Sequence, residues 1–190
     1  MKKSINMDPN PQLRMTVYAS LLAALTAAGA YLSIPIGPVP IVLQSLFILL
    51  SGLLLGSRWG LASVAVYLLA GTCGLPVFAG GMGGIGRLVG PTGGYLIGFL
   101  PAVYLIGIIS EKGEQRLIFD VIAMIVGSVV IYALGVSWLK ILTGMTLAKT
   151  LAVGMVPFIP GDVLKIAVAV PITKALRPIL KVSGSGGQVL

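Results

Sequence analysis

The amino-acid sequence predicts an all-α integral membrane protein with six transmembrane helices and a glycine-rich loop between the third and the fourth. Three observations carry this. Hydrophobic residues fill 57% of the 190 positions and charged residues only 9%. Counting the 26 glycines as well, the apolar share is roughly 71%, against about 45–50% in soluble domains. A mean hydropathy of +1.05 leaves too few polar side chains to cover a surface facing water, so lipid is the solvent. The third observation is length: residues 15–57 carry no charge, and as one helix they would reach about 64 Å, twice the ~30 Å hydrocarbon core.

The prolines divide that run. Pro35, Pro38 and Pro40, with Gly37, cannot continue a helix and restrict their predecessors, which predicts spans at 13–34 and 40–56 joined by an extended turn. Ser57-Arg58-Trp59-Gly60 reads as a tight polar turn with an interfacial Trp. A third span follows at 60–78, then a loop over 79–94. The fourth span is 94–110, closed by the polar run Glu111 to Arg116, and the fifth is 117–139. Lys140 to Lys149 read as a short interfacial segment. The sixth span, 150–180, is broken near 157–161 by Pro157, Pro160 and Gly161. Residues 1–181 form one transmembrane domain and 182–190 a flexible Gly/Ser-rich tail.

Lys and Arg set the orientation. With the N-terminus inside, Lys2, Lys3, Arg14, Arg58, Lys112, Arg116, Lys174, Arg177 and Lys181 are cytoplasmic, while Arg87, Lys140 and Lys149 are outside. The expected location is the bacterial cytoplasmic membrane, with both termini in the cytoplasm. The polar residues 1–14 and the hairpin that follows give no sign of a cleavable signal peptide.

Composition also excludes chemistry. There is no His and one Cys, Cys73. Zinc and iron sites draw on several His, Cys or carboxylate ligands, and a Ser–His–Asp or Cys–His unit needs His. A single Cys makes no internal disulfide. The net charge of +8 belongs to the Lys/Arg bias of a membrane protein and not to a nucleic-acid surface. No G-x-x-x-x-G-K-[ST] motif occurs, so the chain offers no P-loop for ATP.

Four features remain. Gly81 to Gly86 match G-x-G-x-x-G, yet the strand, helix and later acid of a dinucleotide site are missing from the context. The loop has eight Gly in its 16 residues, flanked by Phe78 and Tyr95, with the lone cation Arg87 in its middle. Irregular backbone near a membrane is tolerated where it lines a cavity, so a substrate lid is favoured over a plain loop. Pro157 to Lys165 form a Pro/Gly-broken segment, a common mark of transporter binding sites. Its Asp162 and Lys165, at i and i+3, share a helix face and are costly inside a span. Asp162 as a simple N-cap is the structural alternative. Gln44, the long polar side chain of the second span, is either part of a site or helix–helix glue. Ala19, Ala23 and Ala27, with Ala24 and Ala28 beside them, make a small-residue stripe that either packs internally or receives a partner.

The Gly-rich 80–86, the run Gly90-Pro91-Thr92-Gly93-Gly94-Tyr95-Leu96-x-Gly98-Phe99 and the run Pro157-Phe158-x-Pro160-Gly161-Asp162-x-x-Lys165, in this order, resemble the BioY family. These are the biotin-specific substrate-binding (S) components of energy-coupling factor (ECF) transporters. The resemblance implies an S-component-type bundle with an outward-facing vitamin pocket. It implies a loop between spans three and four (Gly84, Gly86, Gly90, Gly93) that closes over the ligand. It further implies a transmembrane coupling subunit and two cytoplasmic ATPase subunits as partners, and toppling of the loaded component in the membrane. The stripe Ala19, Ala23 and Ala27 resembles the docking surface for the coupling subunit.

Complementarity to biotin then assigns the site. Asp162 accepts ureido N–H bonds, Lys165 donates to an oxygen, and Gln44 does either. Arg87 meets the carboxylate, Phe78 and Tyr95 cover the rings, and Thr92 joins the set. Biotin is cargo and no cofactor is expected. An S component for another vitamin, or a passive permease or channel, is the alternative. An intramembrane enzyme would have to rest on Asp162 and Lys165 alone, so no enzymatic activity is expected.

Overall fold

The computed structural model describes residues 10–34, 39 and 41–182. Lys2, Lys3, the turn residues Pro35, Gly37, Pro38 and Pro40, and the tail from 183 onward lie outside the described residues. The chain runs α1 (Pro11–Tyr31), a two-stranded antiparallel pair β1 (Ser33–Ile34) and β2 (Ile41–Val42), α2 (Gln44–Thr72), a short α3 (Gly86–Val89), α4 (Gly93–Lys112), α5 (Leu117–Thr143), α6 (Leu147–Gly154), a 3-10 turn (Val156–Phe158) and α7 (Ile159–Val182). In the pair, Ser33 faces Val42 and Ile34 faces Ile41. The segment expected to be a plain extended turn is thus closed by strand pairing, and the second span begins at Gln44, not at 40, because residues 41–42 are committed to β2.

Among the described residues, five helices are long and apolar enough to cross a membrane. One of them, α2, crosses twice. Gly56 leaves the helical region at φ 76°, ψ −172°. Beyond it the chain folds back: a Cβ on Gly60 would lie 2.9 Å from the carbonyl oxygen of Ser51, whereas nine residues of straight helix would separate the two by about 13.5 Å. The two arms, 44–55 and 57–72, are therefore separate passages, giving six in all. The expected four-residue turn at 57–60 shrinks to the one residue that takes a positive φ without a Cβ clash. Glu111 makes this possible: its Oε1 accepts the Ser57 backbone N–H at 2.8 Å, and the Ser57 hydroxyl donates to Oε2 at 3.1 Å. A carboxylate thus caps the start of the second arm, where the helix dipole favours negative charge.

The other boundaries shift for local reasons. The third span stops at Thr72 and not at 78, in a Schellman closure: Leu75 N–H bonds to Ala70 O, Gly74 N–H bonds to Gly71 O, and Gly74 sits at φ +102°. Lys140 lies in the last turn of α5, which continues to Thr143, so no interfacial segment starts there. The break in the last hydrophobic region falls at Met155 (φ −135°, ψ −55°) and the 3-10 turn after it. Pro160 and Gly161 lie within the first turn of α7, where a missing N–H costs nothing.

Helix α4 packs along both α2 and α5, α1 packs on α2, and α7 touches its neighbours sparingly. The main core joins Val64, Tyr67, Phe78, Tyr95, Phe99, Val103 and Leu139. Beside a second apolar core of Leu49, Leu53, Ile106, Ala123 and Met124 lies a buried polar cluster. Arg177, expected as a free cytoplasmic charge, instead grips Asp120 with both terminal nitrogens, at 2.5 Å to Oδ2 and 2.8 Å to Oδ1. It also donates to Ser110 Oγ (2.7 Å), to the Leu53 carbonyl (3.1 Å) and to the Gln115 carbonyl (2.8 Å). Glu114 and Gln115, at φ 54° and 58°, are uncommon non-Gly positive-φ residues, and the Arg177 bond helps hold that turn.

Asp120→Ala should leave a buried guanidinium without its carboxylate and destabilise the fold by about 3–5 kcal/mol. Thermal unfolding of the purified protein in detergent measures it. Asp120→Leu with Arg177→Met should recover much of the loss. A double variant no more stable than Asp120→Ala would show that the pair is not the source of the effect.

Candidate functional site

The seven side chains expected to bind substrate all line one cavity. Gln44, Phe78, Arg87, Thr92, Tyr95, Asp162 and Lys165 surround about 820 Å³ of space, its open mouth included. The walls are aromatic and aliphatic, with Phe99, Ile131 and Phe158 joining Phe78 and Tyr95.

Its polar side is built from three helices. On α7, Lys165 is only 8% exposed and its Nζ donates to Asp162 Oδ1 at 3.1 Å. The same ammonium donates to Ser45 Oγ at 2.8 Å, on the first turn of α2. From α5, the Tyr132 hydroxyl donates to Asp162 Oδ2. Asp162 is thus not the N-cap of α7; it lies inside the first turn with both carboxylate oxygens engaged. Beside this network Gln44, 2% exposed, has a buried Nε2 with no partner. Buried amide donors are nearly always paired, and Gln44 is the residue with such an unpaired atom that lines the cavity.

The loop over 79–94 and the residues that lead into it are tied to the bundle, and Ala79, Arg87 and Thr92 line the cavity. Tyr31 O–H donates to Pro76 O (2.5 Å), Tyr67 O–H to Val77 O (3.1 Å), and Trp138 Nε1–H to Gly90 O (2.9 Å). The Gly84 N–H bonds to Gly71 O at 2.7 Å. Arg87 lines the cavity from α3 within this loop, and its guanidinium also contacts Met82 Sδ. Of the four loop glycines, Gly84 requires a positive φ, and Gly93 packs against the Leu88 backbone with no room for a Cβ. Gly86 faces open space, so neither space nor φ demands glycine there.

Phe78 and Tyr95 serve the fold as well as the cavity. Phe78 meets Tyr67 edge to face, with centroids 5.6 Å apart, and fills the space left by Gly71. Tyr95 packs on Gly135 and donates to Gly154 O at 2.7 Å. Thr92 ends the loop, its carbonyl accepting the Tyr95 and Leu96 N–H groups.

The stripe Ala19, Ala23 and Ala27 requires a correction. Ala19 and Ala23 are buried, and Ala27 is partly buried against the core. The Ser63 hydroxyl donates to the Ala19 carbonyl at 2.8 Å, a close approach that small side chains permit. This face packs on α2. The outward face of α1 carries a second row at the same spacing, Thr16, Ser20, Ala24 and Ala28, all exposed.

Sequence reasoning missed Ser45 and Tyr132. Tyr132 had a readable signal: it is a Tyr well inside an apolar span, away from the interfaces where Tyr is usual, and a buried phenol seeks a partner. Ser45 had none beyond its place next to Gln44.

The BioY family model matches residues 1–182. The chain is 42% identical over 167 residues to the biotin transporter BioY of Thermotoga maritima, covering 88% of this chain and 98% of that one. It is 35% identical to the biotin transporter BioY of Lactococcus lactis, covering 90% and 94%. Among solved structures it is similar to the crystal structure of the S component for biotin from an ECF-type ABC transporter, with a TM-score of 0.82, 34% identity, and 88% and 92% of the two chains covered.

Replacing Gln44 by Leu should remove an unpaired buried donor and raise the stability of the ligand-free protein by about 1–3 kcal/mol. A melting temperature that falls or stays level would show that Gln44 is already satisfied within the fold.

Proposed function

The chain belongs to the BioY family, and from that membership and the cavity we propose that it captures biotin as the S component of an ATP-driven ECF transporter. It is a multi-pass membrane protein whose work is binding and transport, not catalysis, and biotin is its cargo. The observation that carries the reading is the pairing of an apolar aromatic cavity with a small, buried, hydrogen-bonding edge at Asp162, Lys165 and Gln44. Biotin has this division itself: fused rings that are apolar apart from one ureido group, and a chain ending in a carboxylate.

The roles follow from donor and acceptor count. The Asp162 carboxylate has capacity beyond its two present donors and accepts ureido N–H groups. Lys165, with a third ammonium proton free, and Gln44 Nε2 donate to the ureido oxygen. Arg87, brought in by the covering loop, meets the valerate carboxylate, where a bidentate fork suits it. Phe78, Tyr95 and Thr92 line the ring and chain. The glycine loop is the lid, and closing it excludes water from the bound vitamin.

Transport needs energy that this chain has no motif to extract. The partners are a transmembrane coupling subunit and two cytoplasmic ATPase subunits, in a bacterial cytoplasmic membrane with both termini inside. Arg14, Arg58, Lys112, Arg116 and Lys174 support that orientation; Arg177, neutralised by Asp120, is set aside. The coupling subunit meets the exposed row of α1 at Ser20, Ala24 and Ala28, because the companion row is committed to α2.

Calorimetric titration tests the ligand. Biotin should bind tightly, and its methyl ester at least tenfold more weakly through loss of the Arg87 contact. Asp162→Asn or Lys165→Ala should weaken both ligands at least tenfold, about 1.4 kcal/mol. Absence of biotin binding by the folded protein would overturn the function.

A second measurement tests docking. Ala24→Trp should abolish co-purification with the coupling module and ATP-driven uptake while leaving biotin affinity intact. Ala23→Trp should instead overpack the α1–α2 seam, at about 1–3 kcal/mol, and lower stability. Full assembly and uptake by Ala24→Trp would refute the outward row.

A further inference from the structure

A second hollow lies on the other side of the ligand cavity. It is a groove between α5 and α7, lined by Val129, Ala133, Met155, Val163 and Ile166 among others. Val129 and Val163 are 60% and 63% exposed, so the groove opens on the outer face of the bundle, where lipid lies. Ser128, Tyr132 and Asp162 border both hollows. Helices α5 and α7 touch sparingly here. The Tyr132–Asp162 hydrogen bond is therefore a piece of wall, dividing a polar binding edge from hydrocarbon.

The bond also fixes where the carboxylate points. Lys165 holds Oδ1 from one turn away on the same helix, and this alone would let the carboxylate swing with the lysine. Tyr132 holds Oδ2 from a different helix. Two donors on two helices determine the plane of the carboxylate, and Ser45, from α2, fixes the lysine in turn. A carboxylate that turned into the groove would lose the Lys165 ammonium and face a mainly apolar lining in which Ser128 and Ser137 are the hydroxyl groups besides Tyr132, at a high cost in lipid.

We propose that Tyr132 is a positioning residue for ligand binding: through its hydroxyl it aims the Asp162 carboxylate into the cavity, and through its ring it seals the cavity from the lipid-facing groove. The proposal rests on the reading of the cavity as a biotin site with Asp162 as the ureido acceptor. The ligand need not touch Tyr132 for the residue to set affinity.

The test is a double-variant cycle read by biotin titration of the full chain in detergent. Tyr132→Phe keeps the ring and removes the hydroxyl. It should weaken biotin about tenfold, equivalent to about 1.4 kcal/mol. Added to Asp162→Asn it should cost less than about threefold, because coupled residues are not additive. Tyr132→Met keeps apolar volume without the hydroxyl and should show the same non-additivity, which covers the case in which Tyr132→Phe does not fold. Unchanged affinity in Tyr132→Phe, or the same fold-loss in both backgrounds, overturns the proposal. If the unsubstituted protein binds biotin while either of those results is found, only this inference falls. If it does not bind biotin, the functional reading falls and takes this inference with it.

Discussion

A guanidinium in the apolar interior of a bundle must find acceptors or the fold that buries it cannot persist. Arg177 meets this demand at both terminal nitrogens, its Nε being left without a partner, by drawing on a carboxylate, a hydroxyl and two backbone carbonyls from α2, α4, the α4–α5 turn and α5. Replacing such a cluster by apolar residues is often neutral for stability, so its value is in specification. It permits one arrangement of five chain segments, α7 included, at one end of the bundle. Glu111, capping the second arm of α2 beside it, adds the fold-back at Gly56 to the same set. The cavity lies away from that end, lined by residues of α2, α4, α5, α7 and the 79–94 loop.

The polar edge of the cavity obeys the same rule with a different result. At the closed end every strong acceptor of Asp120 is turned inward on Arg177 and Ser110. Unpaired atoms occur at both ends, Arg177 Nε and Gln115 Oε1 at the closed one and Gln44 Nε2 at the open one, but only Gln44 lines the cavity, where Asp162 and Lys165 also retain capacity. The first arm of α2 contributes to this. Its twelve residues reach only about 18 Å, so its first turn, carrying Gln44 and Ser45, stands within the bundle and not at its rim. The β1–β2 pair completes the length of that passage and supplies Val42 to the cavity wall.

Much of this was legible in the sequence because it rests on composition and on backbone chemistry. Charge-free runs and prolines located the passages, and the broken segment at 157–165 pointed to Asp162 and Lys165. What escaped depends on pairs distant in sequence. Asp120 sits near the start of an apolar span and Arg177 near the end of another. Each alone reads as an interfacial charge, and 57 residues separate the two. Ser45 acquires meaning only when α2, α5 and α7 converge on one carboxylate, and only then is the partner of the Tyr132 phenol visible. Gly56 was hidden for the opposite reason. Its positive φ allows a one-residue reversal, and the more polar residues just after it drew attention to themselves as a turn.

Helix α1 shows where periodicity stops informing. Residues four apart advance about 40° around a helix that turns 100° per residue, so Ala19-Ala23-Ala27 and Ser20-Ala24-Ala28 are two adjacent rows of nearly equal composition. Nothing in the sequence says which is inside. The large residues decide it: Leu22 is buried with Leu55, while Leu13, Val17, Leu21 and Leu25 are exposed, which turns the second row outward among them. Within the bundle α1 packs chiefly on α2, and its side chains contribute nothing to the cavity lining. A partner can therefore approach that row closely without displacing a residue that holds the ligand. On the proposed reading, capture and coupling are separable on this scaffold: the cavity is built by α2, α4, α5, α7 and the 79–94 loop, and the exposed row of α1 lies apart from it.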